Sequence, residues 1–210
     1  MNTAVFYGRF EDARYNFYVW SRGSVFAKRI ALAGGMAVVT GLLALIRIQL
    51  PFTPVPVTGQ TMGVLLSGVV CGPMFGAFSQ LMYVGAGIAG VPWFAGGAQG
   101  SLATLAGPTG GYLMGFILAP VVSGYLTDIS FDGRKRLPQF VIMTASTAVI
   151  LICGACYLAF LMKYGFTETL IKGVLPFIPG DMVKIIGAAA AGSLILPKKS
   201  SMRKCKGLKI

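Results

Sequence analysis

The sequence contains no histidine among its 210 residues. Histidine is the commonest general base in enzymes and a common metal ligand, so its absence argues against both kinds of chemistry. Charged residues are also few, at 11% of the chain with only six Asp and Glu, whereas soluble domains typically have about 25%. Because 55% of the residues are hydrophobic and the mean hydropathy is +0.75, the composition predicts an integral membrane protein.

Cysteine is scarce, and the usual nucleotide-binding motifs are missing. Cys153 and Cys156 form a CxxC pattern inside the apolar run 149–160, where we interpret them as packing residues and not as a redox or metal site. The sequence has no Walker A motif and no GxGxxG after a strand, and no basic patch interleaved with aromatic residues indicates nucleic-acid binding. We therefore predict no catalytic residues, no metal, no cofactor and no nucleic-acid partner.

Six apolar runs predict six transmembrane helices, and therefore an all-α bundle embedded in the lipid bilayer. The segment 1–29 before them is aromatic and mixed in charge, without the features of a secretory signal. The expected domains are this amino-terminal segment, a transmembrane domain over 30–197 and a basic tail over 198–210. The predicted spans are 30–48, 59–71, 74–90, 109–127, 137–162 and 179–196.

The basic residues are distributed unequally between the two sides of this bundle. Fourteen Lys and Arg lie on the side that holds both termini, and three lie on the other side. Cytoplasmic segments carry the excess of Lys and Arg in membrane proteins. The distribution predicts a multi-pass protein of the plasma (inner) membrane with both termini in the cytoplasm.

Two connections on the predicted outer side cannot be regular helices throughout. Residues 49–58 read QLPFTPVPVT, and three prolines in six residues exclude a helix there. Residues 91–108 are rich in glycine and carry no charge. Irregular backbone is tolerated at membrane depth only where protein or a water-filled cavity surrounds it. The proline-rich segment is therefore either an outward connection or a lid over a cavity.

Asp181 and Lys184 are two charges at the start of the last apolar run. Their spacing of three places them on one face of a helix, and a charged side chain inside a bilayer costs about 3 kcal/mol. The two side chains either neutralise each other or line a pocket for a small polar solute. Because the irregular connections lie at the same membrane depth, we favour an outward-facing pocket, although physical reasoning alone does not name the solute.

Four segments of the chain resemble the signature segments of the BioY family, the biotin-binding S components of energy-coupling factor (ECF) transporters. The resemblance covers about residues 30–197, and the segments occur in the family's order. They are LPFTPVPVTGQT (50–61), GVPWFAGGAQG (90–100), GPTGGYLMGF (107–116) and PFIPGDMVK (176–184).

The resemblance implies a six-helix S-component fold that binds biotin at the outer face and mediates its uptake. A transmembrane T subunit and ATPase subunits of an ECF module would then be the partners, and they would hydrolyse ATP. It implies that the proline-rich loop caps the site, that Asp181 and Lys184 contact biotin, and that small residues of the first helix, Ala33 and Ala37, dock on the T subunit or pack within the bundle. Further candidates for contact with biotin are Gln99, Tyr112, Trp93, Phe52 and Thr53.

Two other functions are alternatives to biotin transport. The first is an S component for another vitamin, such as thiamine or riboflavin. The second is an intramembrane enzyme that uses Asp181 or Ser and Lys groups. The absence of histidine and of any paired-acid or nucleophile–base motif argues against the enzyme.

Overall fold

The structure, a computed structural model, describes residues 3–95, 100, 102–129 and 134–197. Most of these residues are helical, and one short antiparallel bridge joins β1 (Arg47–Ile48) to β2 (Val57–Thr58). The helices are α1 (Thr3–Gly23), α2 (Phe26–Ala44), α3 (Gln60–Cys71), α4 (Pro73–Ile88), α5 (Leu102–Ala106), α6 (Gly110–Ile129), α7 (Arg136–Met162), α8 (Phe166–Gly173) and α9 (Ile178–Ile195).

The predicted bundle is formed by α2, α3, α4, α6, α7 and α9. The helix α6 packs against α3, α4 and α7, and α9 packs against α3 and α7. Four helices, α2, α6, α7 and α9, are long and apolar enough to cross a membrane. With 12 and 16 residues, α3 and α4 are shorter. The prediction of an all-α membrane bundle is confirmed.

Five of these helices begin and end within two residues of the predicted limits, but the first does not. It was expected over 30–48, whereas α2 covers Phe26–Ala44. The last residues of the apolar run leave the helix because Arg47 and Ile48 pair with Thr58 and Val57. This pairing closes the proline-rich segment 49–56 into a loop, called here the lid loop.

Glycines allow α3, α4 and α6 to approach each other at backbone distance. A Cβ atom on Gly68 of α3 would lie 2.4 Å from the Pro120 carbonyl oxygen of α6. One on Gly124 of α6 would lie 2.6 Å from the backbone nitrogen of Pro73. In lipid the hydrophobic effect does not drive helices together, so they associate through van der Waals packing. Small residues at the crossing points permit the close approach that this packing requires. The two short helices are thereby held against a long one.

Besides the five-residue α5, two longer helices lie in segments for which the sequence predicted no helix. The amino-terminal segment forms α1, and Arg22 near its end donates to the Val69 and Val70 carbonyls at 3.0 and 2.8 Å. The segment 163–178, which lies between the last two predicted spans, contains α8, whose eight residues place Glu168 and Lys172 one turn apart. Both helices lie at the ends of the bundle, and each supports one end.

The bundle has two chemically different ends. One end, called the cavity end, is where α2, α4 and α7 finish. The helices α3, α6 and α9 begin at the same end. Buried aromatic side chains concentrate there, including Tyr83, Phe94, Tyr112, Phe116 and Phe177. The helix α1 lies at the opposite end.

Candidate functional site

A cavity opens at the cavity end, between the lid loop and the first turns of α3, α6 and α9. Its walls are mostly apolar or aromatic, and a few polar side chains point into it. Such a mixture is typical of sites for small organic molecules. The lining residues are Val55, Pro56, Thr58, Gln60, Thr61, Phe94, Ala95, Thr104, Thr109, Tyr112, Leu113, Phe116, Ile150, Leu151, Phe177, Asp181 and Lys184.

Asp181 and Lys184 form an ion pair in the wall of this cavity. The Lys184 Nζ atom lies 2.8 Å from Asp181 Oδ1, and the two side chains are 13% and 7% exposed. A buried charge is stabilised only if it is paired and hydrogen-bonded. The pair therefore remains neutral as a unit while it presents a cation and an anion to the cavity.

The start of α9 fixes where these two charges lie. Pro179 occupies the first turn, where its missing N–H costs no helical hydrogen bond. The backbone N–H of Asp181 donates to the Phe177 carbonyl at 2.8 Å, so this carboxylate sits in the first helical turn. The partial positive charge of a helix N-terminus stabilises an anion at that place. Lys184 follows one turn later on the same face.

A second set of polar groups also lines the cavity. The Thr58 hydroxyl donates to Gln60 Oε1 at 2.8 Å, and the Gln60 amide donates to the Tyr83 hydroxyl. Gln60 begins α3 immediately after β2, so the bridge of the lid loop sets its position. These groups add hydroxyl and amide functions without adding charge.

Aromatic rings form the remaining walls, and neighbouring glycines make room for one of them. A Cβ atom on Gly87 would lie 2.3 Å from the Phe94 ring, and one on Gly100 would lie 2.1 Å from it. The rings of Tyr112 and Phe177 are 5.5 Å apart. The Tyr112 hydroxyl donates to the Gly173 carbonyl of α8 at 2.6 Å, so it is occupied by the protein while its ring faces the cavity.

The structure brings together three of the predicted contact residues, Asp181, Lys184 and Tyr112, which all line the cavity. Trp93 lies one layer behind Phe94, where its indole N–H donates to the Tyr83 carbonyl at 3.0 Å.

Phe52 and Thr53 belong to the lid loop but are absent from the cavity wall. Phe52 is 56% exposed on the outside of the loop. Thr53 is buried, and its hydroxyl donates to the Lys172 carbonyl of α8 at 2.7 Å. Gln99 lies outside the described residues.

The two alanines expected on a partner-docking face are inside the bundle. Ala33 is 0% exposed and Ala37 is 2% exposed. They therefore pack against the chain's own helices, and this correction favours the packing interpretation of their spacing. The small residues that α2 leaves exposed are Ala27, Ala31 and Gly35.

Sequence reasoning did not single out several cavity residues that the four signature segments contain. Thr58, Gln60 and Thr61 come from the first segment, and Phe94 comes directly after the predicted Trp93. The signal that could have found Thr58, Gln60 and Thr61 is position, because they directly precede or begin α3 at the cavity end. The choice between neighbours such as Trp93 and Phe94 depends on which way the chain turns after α4, and composition does not reveal this.

The arrangement is suited to binding. Among the residues that the structure describes, no three Cys, Asp or Glu side chains are grouped closely enough to hold a metal ion. Cys153 and Cys156 are free cysteines on α7. One of the three Nζ–H donors of Lys184 is directed at Asp181, so the other two are available to a ligand acceptor. The Asp181 carboxylate retains acceptor sites for a ligand N–H.

The relatives found by comparison with known proteins all belong to one family. A family model described as the BioY family matches residues 14–200. A probable biotin transporter BioY from Methanothermobacter thermautotrophicus is 45% identical over 64% of this chain and 89% of its own length. The biotin transporter BioY of Rhizobium etli is 37% identical over 79% of this chain and 90% of its own.

One solved structure supports the same relationship. It is a crystal structure of the S component for biotin from an ECF-type ABC transporter. It is 27% identical in sequence and superposes with a TM-score of 0.73 over 80% of this chain and 89% of that one. The likeness extends over nearly the whole bundle.

Proposed function

Because the chain belongs to the BioY family, we propose that it is a membrane-embedded S component that binds biotin in the cavity and mediates its uptake. ATP hydrolysis would be supplied by ECF partner subunits. The observation that carries the proposal is the buried Asp181–Lys184 ion pair in an aromatic cavity at the cavity end.

The chemistry of biotin matches the groups of this cavity. Its ureido ring has two N–H donors and one carbonyl acceptor, its tail ends in a carboxylate, and its sulfur-containing ring and alkyl chain are largely apolar. Asp181 accepts hydrogen bonds only, and Lys184 only donates them. A ligand with both donors and acceptors can therefore engage the pair without leaving either charge buried alone, which is the costly outcome. The aromatic walls cover the apolar ring and chain.

The cavity is proposed to face the outside of the cell. In the part of the chain that the structure describes, the exposed residues Lys28, Lys135 and Arg136 lie at the opposite end. The exposed basic residues of the cavity end are Arg47 and Lys163. The excess of basic residues at the opposite end supports a cytoplasmic location for that end and for both termini.

The outer face of α2 is proposed as the surface that meets the transmembrane partner subunit. Ala31 and Gly35 are exposed one turn apart, and a Cβ atom on Gly35 would meet nothing within 4 Å. Small residues at this spacing let a second helix approach closely in lipid. An Ala31→Trp variant should lose copurification with the partner subunits and keep its biotin affinity. The matched control is Ala145→Trp on the exposed side of α7.

A ligand panel on the purified protein tests the function. A ligand that binds only the folded state stabilises it by about 2.7 kcal/mol at a concentration of 100 Kd. We expect biotin at micromolar concentration to raise the melting temperature, whereas thiamine and riboflavin at the same concentration should not. Stabilisation by thiamine or riboflavin in place of biotin would assign the cavity to another vitamin. Stabilisation by none of the three would remove the proposed function.

A further inference from the structure

Thr53 joins the lid loop to α8 through its hydroxyl group. The hydroxyl donates to the Lys172 carbonyl at 2.7 Å, and it accepts the Val55 backbone N–H at 3.3 Å. Thr53 is 4% exposed although the residues on both sides of it are exposed. A threonine that turns inward here, away from the cavity, has a role other than contact with the ligand.

The residues that Thr53 holds form the roof of the cavity. Val55 is 4% exposed and lines the cavity together with Pro56. Because the Thr53 hydroxyl accepts the Val55 N–H, the position of this roof is tied to the carbonyl of Lys172. Separation of the lid loop from α8 must break that connection.

The last turn of α8, to which the lid loop is bonded, is itself held in place by a hydrogen bond from α6. Directly after the carbonyl that Thr53 uses, the Gly173 carbonyl accepts the Tyr112 hydroxyl of α6 at 2.6 Å. The lid and the cavity wall are therefore fastened to consecutive carbonyls of the same turn. A second bond strengthens the loop itself, because the Gln49 side chain donates to the Thr53 carbonyl at 3.2 Å.

From this geometry we infer that Thr53 is a positioning residue that latches the lid loop onto α8 and sets the rate at which biotin enters and leaves. The inference rests on the proposed function, because it takes biotin as the ligand. The latch holds the roof closed over both the empty and the occupied cavity. Entry and exit then both pass through the open state.

This role has a kinetic signature that a contact residue lacks. When a ligand passes only through a minor open state, its association and dissociation rates both scale with the population of that state. A weaker latch raises both rates by the same factor and leaves Kd nearly unchanged. Loss of a direct contact raises the dissociation rate alone, and Kd rises with it.

The test is stopped-flow binding of unmodified biotin to the purified full chain and to Thr53→Val, followed by intrinsic tryptophan fluorescence. Valine keeps the shape of threonine and removes both hydrogen bonds of the hydroxyl. We expect association and dissociation rates to rise together by about three- to tenfold, the effect of losing the one hydrogen bond that joins the lid loop to α8, with less than a twofold change in Kd. Thr53→Ser keeps the hydroxyl and should restore both rates.

Two further variants make the outcome decisive. Thr169→Val removes a hydroxyl that bonds only to the residue preceding α8, the Gly165 carbonyl at 2.9 Å, and should leave the rates unchanged. Gln49→Ala should raise both rates by a smaller factor, and it serves as the test if Thr53→Val does not fold. Unchanged rates in the folded variants, or a rise in dissociation alone, would overturn the latch while wild-type biotin binding still supports the function. Absence of biotin binding by the wild type would overturn both.

Discussion

Arg22 and Asp128 form a two-bonded ion pair that joins α1 to the end of α6. The Arg22 Nε and Nη2 atoms lie 2.9 and 3.0 Å from the two carboxylate oxygens of Asp128. The Tyr18 hydroxyl donates to the same carboxylate at 3.1 Å. Burial raises the pKa of the Tyr18 phenol, so it remains a donor at neutral pH. Since Arg22 also donates to the last carbonyls of α3, one guanidinium connects three helices.

An Arg22→Ala variant should lose stability and keep its affinity for biotin. Removing the guanidinium leaves the Asp128 carboxylate, which is 24% exposed, without its cation and the α3 carbonyls without donors. We expect the free energy of unfolding to fall by about 2 to 4 kcal/mol. SDS titration of the purified protein measures this change. The exposed Lys28 gives the control, because Lys28→Ala should change stability by less than about 0.5 kcal/mol.

A second prediction uses two glycines of the same helix. Gly87→Ala places a methyl group 2.3 Å from the Phe94 ring, whereas a Cβ atom on Gly85 meets nothing within 4 Å. Phe94 must then move from the cavity wall, at a cost of about 1 to 3 kcal/mol. Biotin affinity, measured by calorimetry, should fall roughly tenfold in Gly87→Ala and stay unchanged in Gly85→Ala. Equal affinities in the two variants would show that the Phe94 wall does not contact the ligand.

The CxxC pattern gives a third prediction. Cys153 and Cys156 are free thiols on α7, and a Cβ atom on Gly115 would lie 3.3 Å from the Cβ of Cys153, which places this side chain at the contact between α7 and α6. Serine has nearly the same size, so Cys153→Ser should bind biotin with near-normal affinity. A marked loss of binding would mean that the thiol has a function beyond packing.

The orientation of the bundle can be tested with impermeant thiol reagents. In a background without the native cysteines, Phe52→Cys places a thiol on the exposed outside of the lid loop. A membrane-impermeant maleimide should label it in intact cells. Lys28→Cys, exposed at the opposite end, should react only after lysis. The reverse pattern would contradict the orientation proposed from the basic residues.

Sequence reasoning predicted the bundle well because apolar runs and proline or glycine breaks leave few alternatives. The turn at Gly72 is one example, since its φ of 84° favours glycine and Pro73 then begins α4. The membership of the BioY family, inferred from four short segments, is confirmed by the match over residues 14–200. The charged pair could be found because charge is rare in such a chain.

The parts that could not be predicted depend on rotation and tertiary contact. The helix α2 carries small residues on two faces, and only packing decides that Ala33 turns inward while Ala31 turns outward. Likewise, α8 is held by hydrogen bonds from Thr53 and Tyr112, which are distant in the sequence. No local pattern in the segment 163–178 reports those bonds.

Calorimetric titration of Lys184→Ala shows whether the Asp181–Lys184 pair holds biotin. Losing one partner of a charge-assisted bond costs about 1.5 to 3 kcal/mol, which corresponds to a tenfold or larger rise in Kd. Lys172, which pairs with Glu168 at 2.7 Å on the surface of the same end, gives the matched control Lys172→Ala. We predict weakened binding in Lys184→Ala and wild-type binding in Lys172→Ala. A folded Lys184→Ala protein with an unchanged Kd for biotin would mean that the ion pair does not bind biotin.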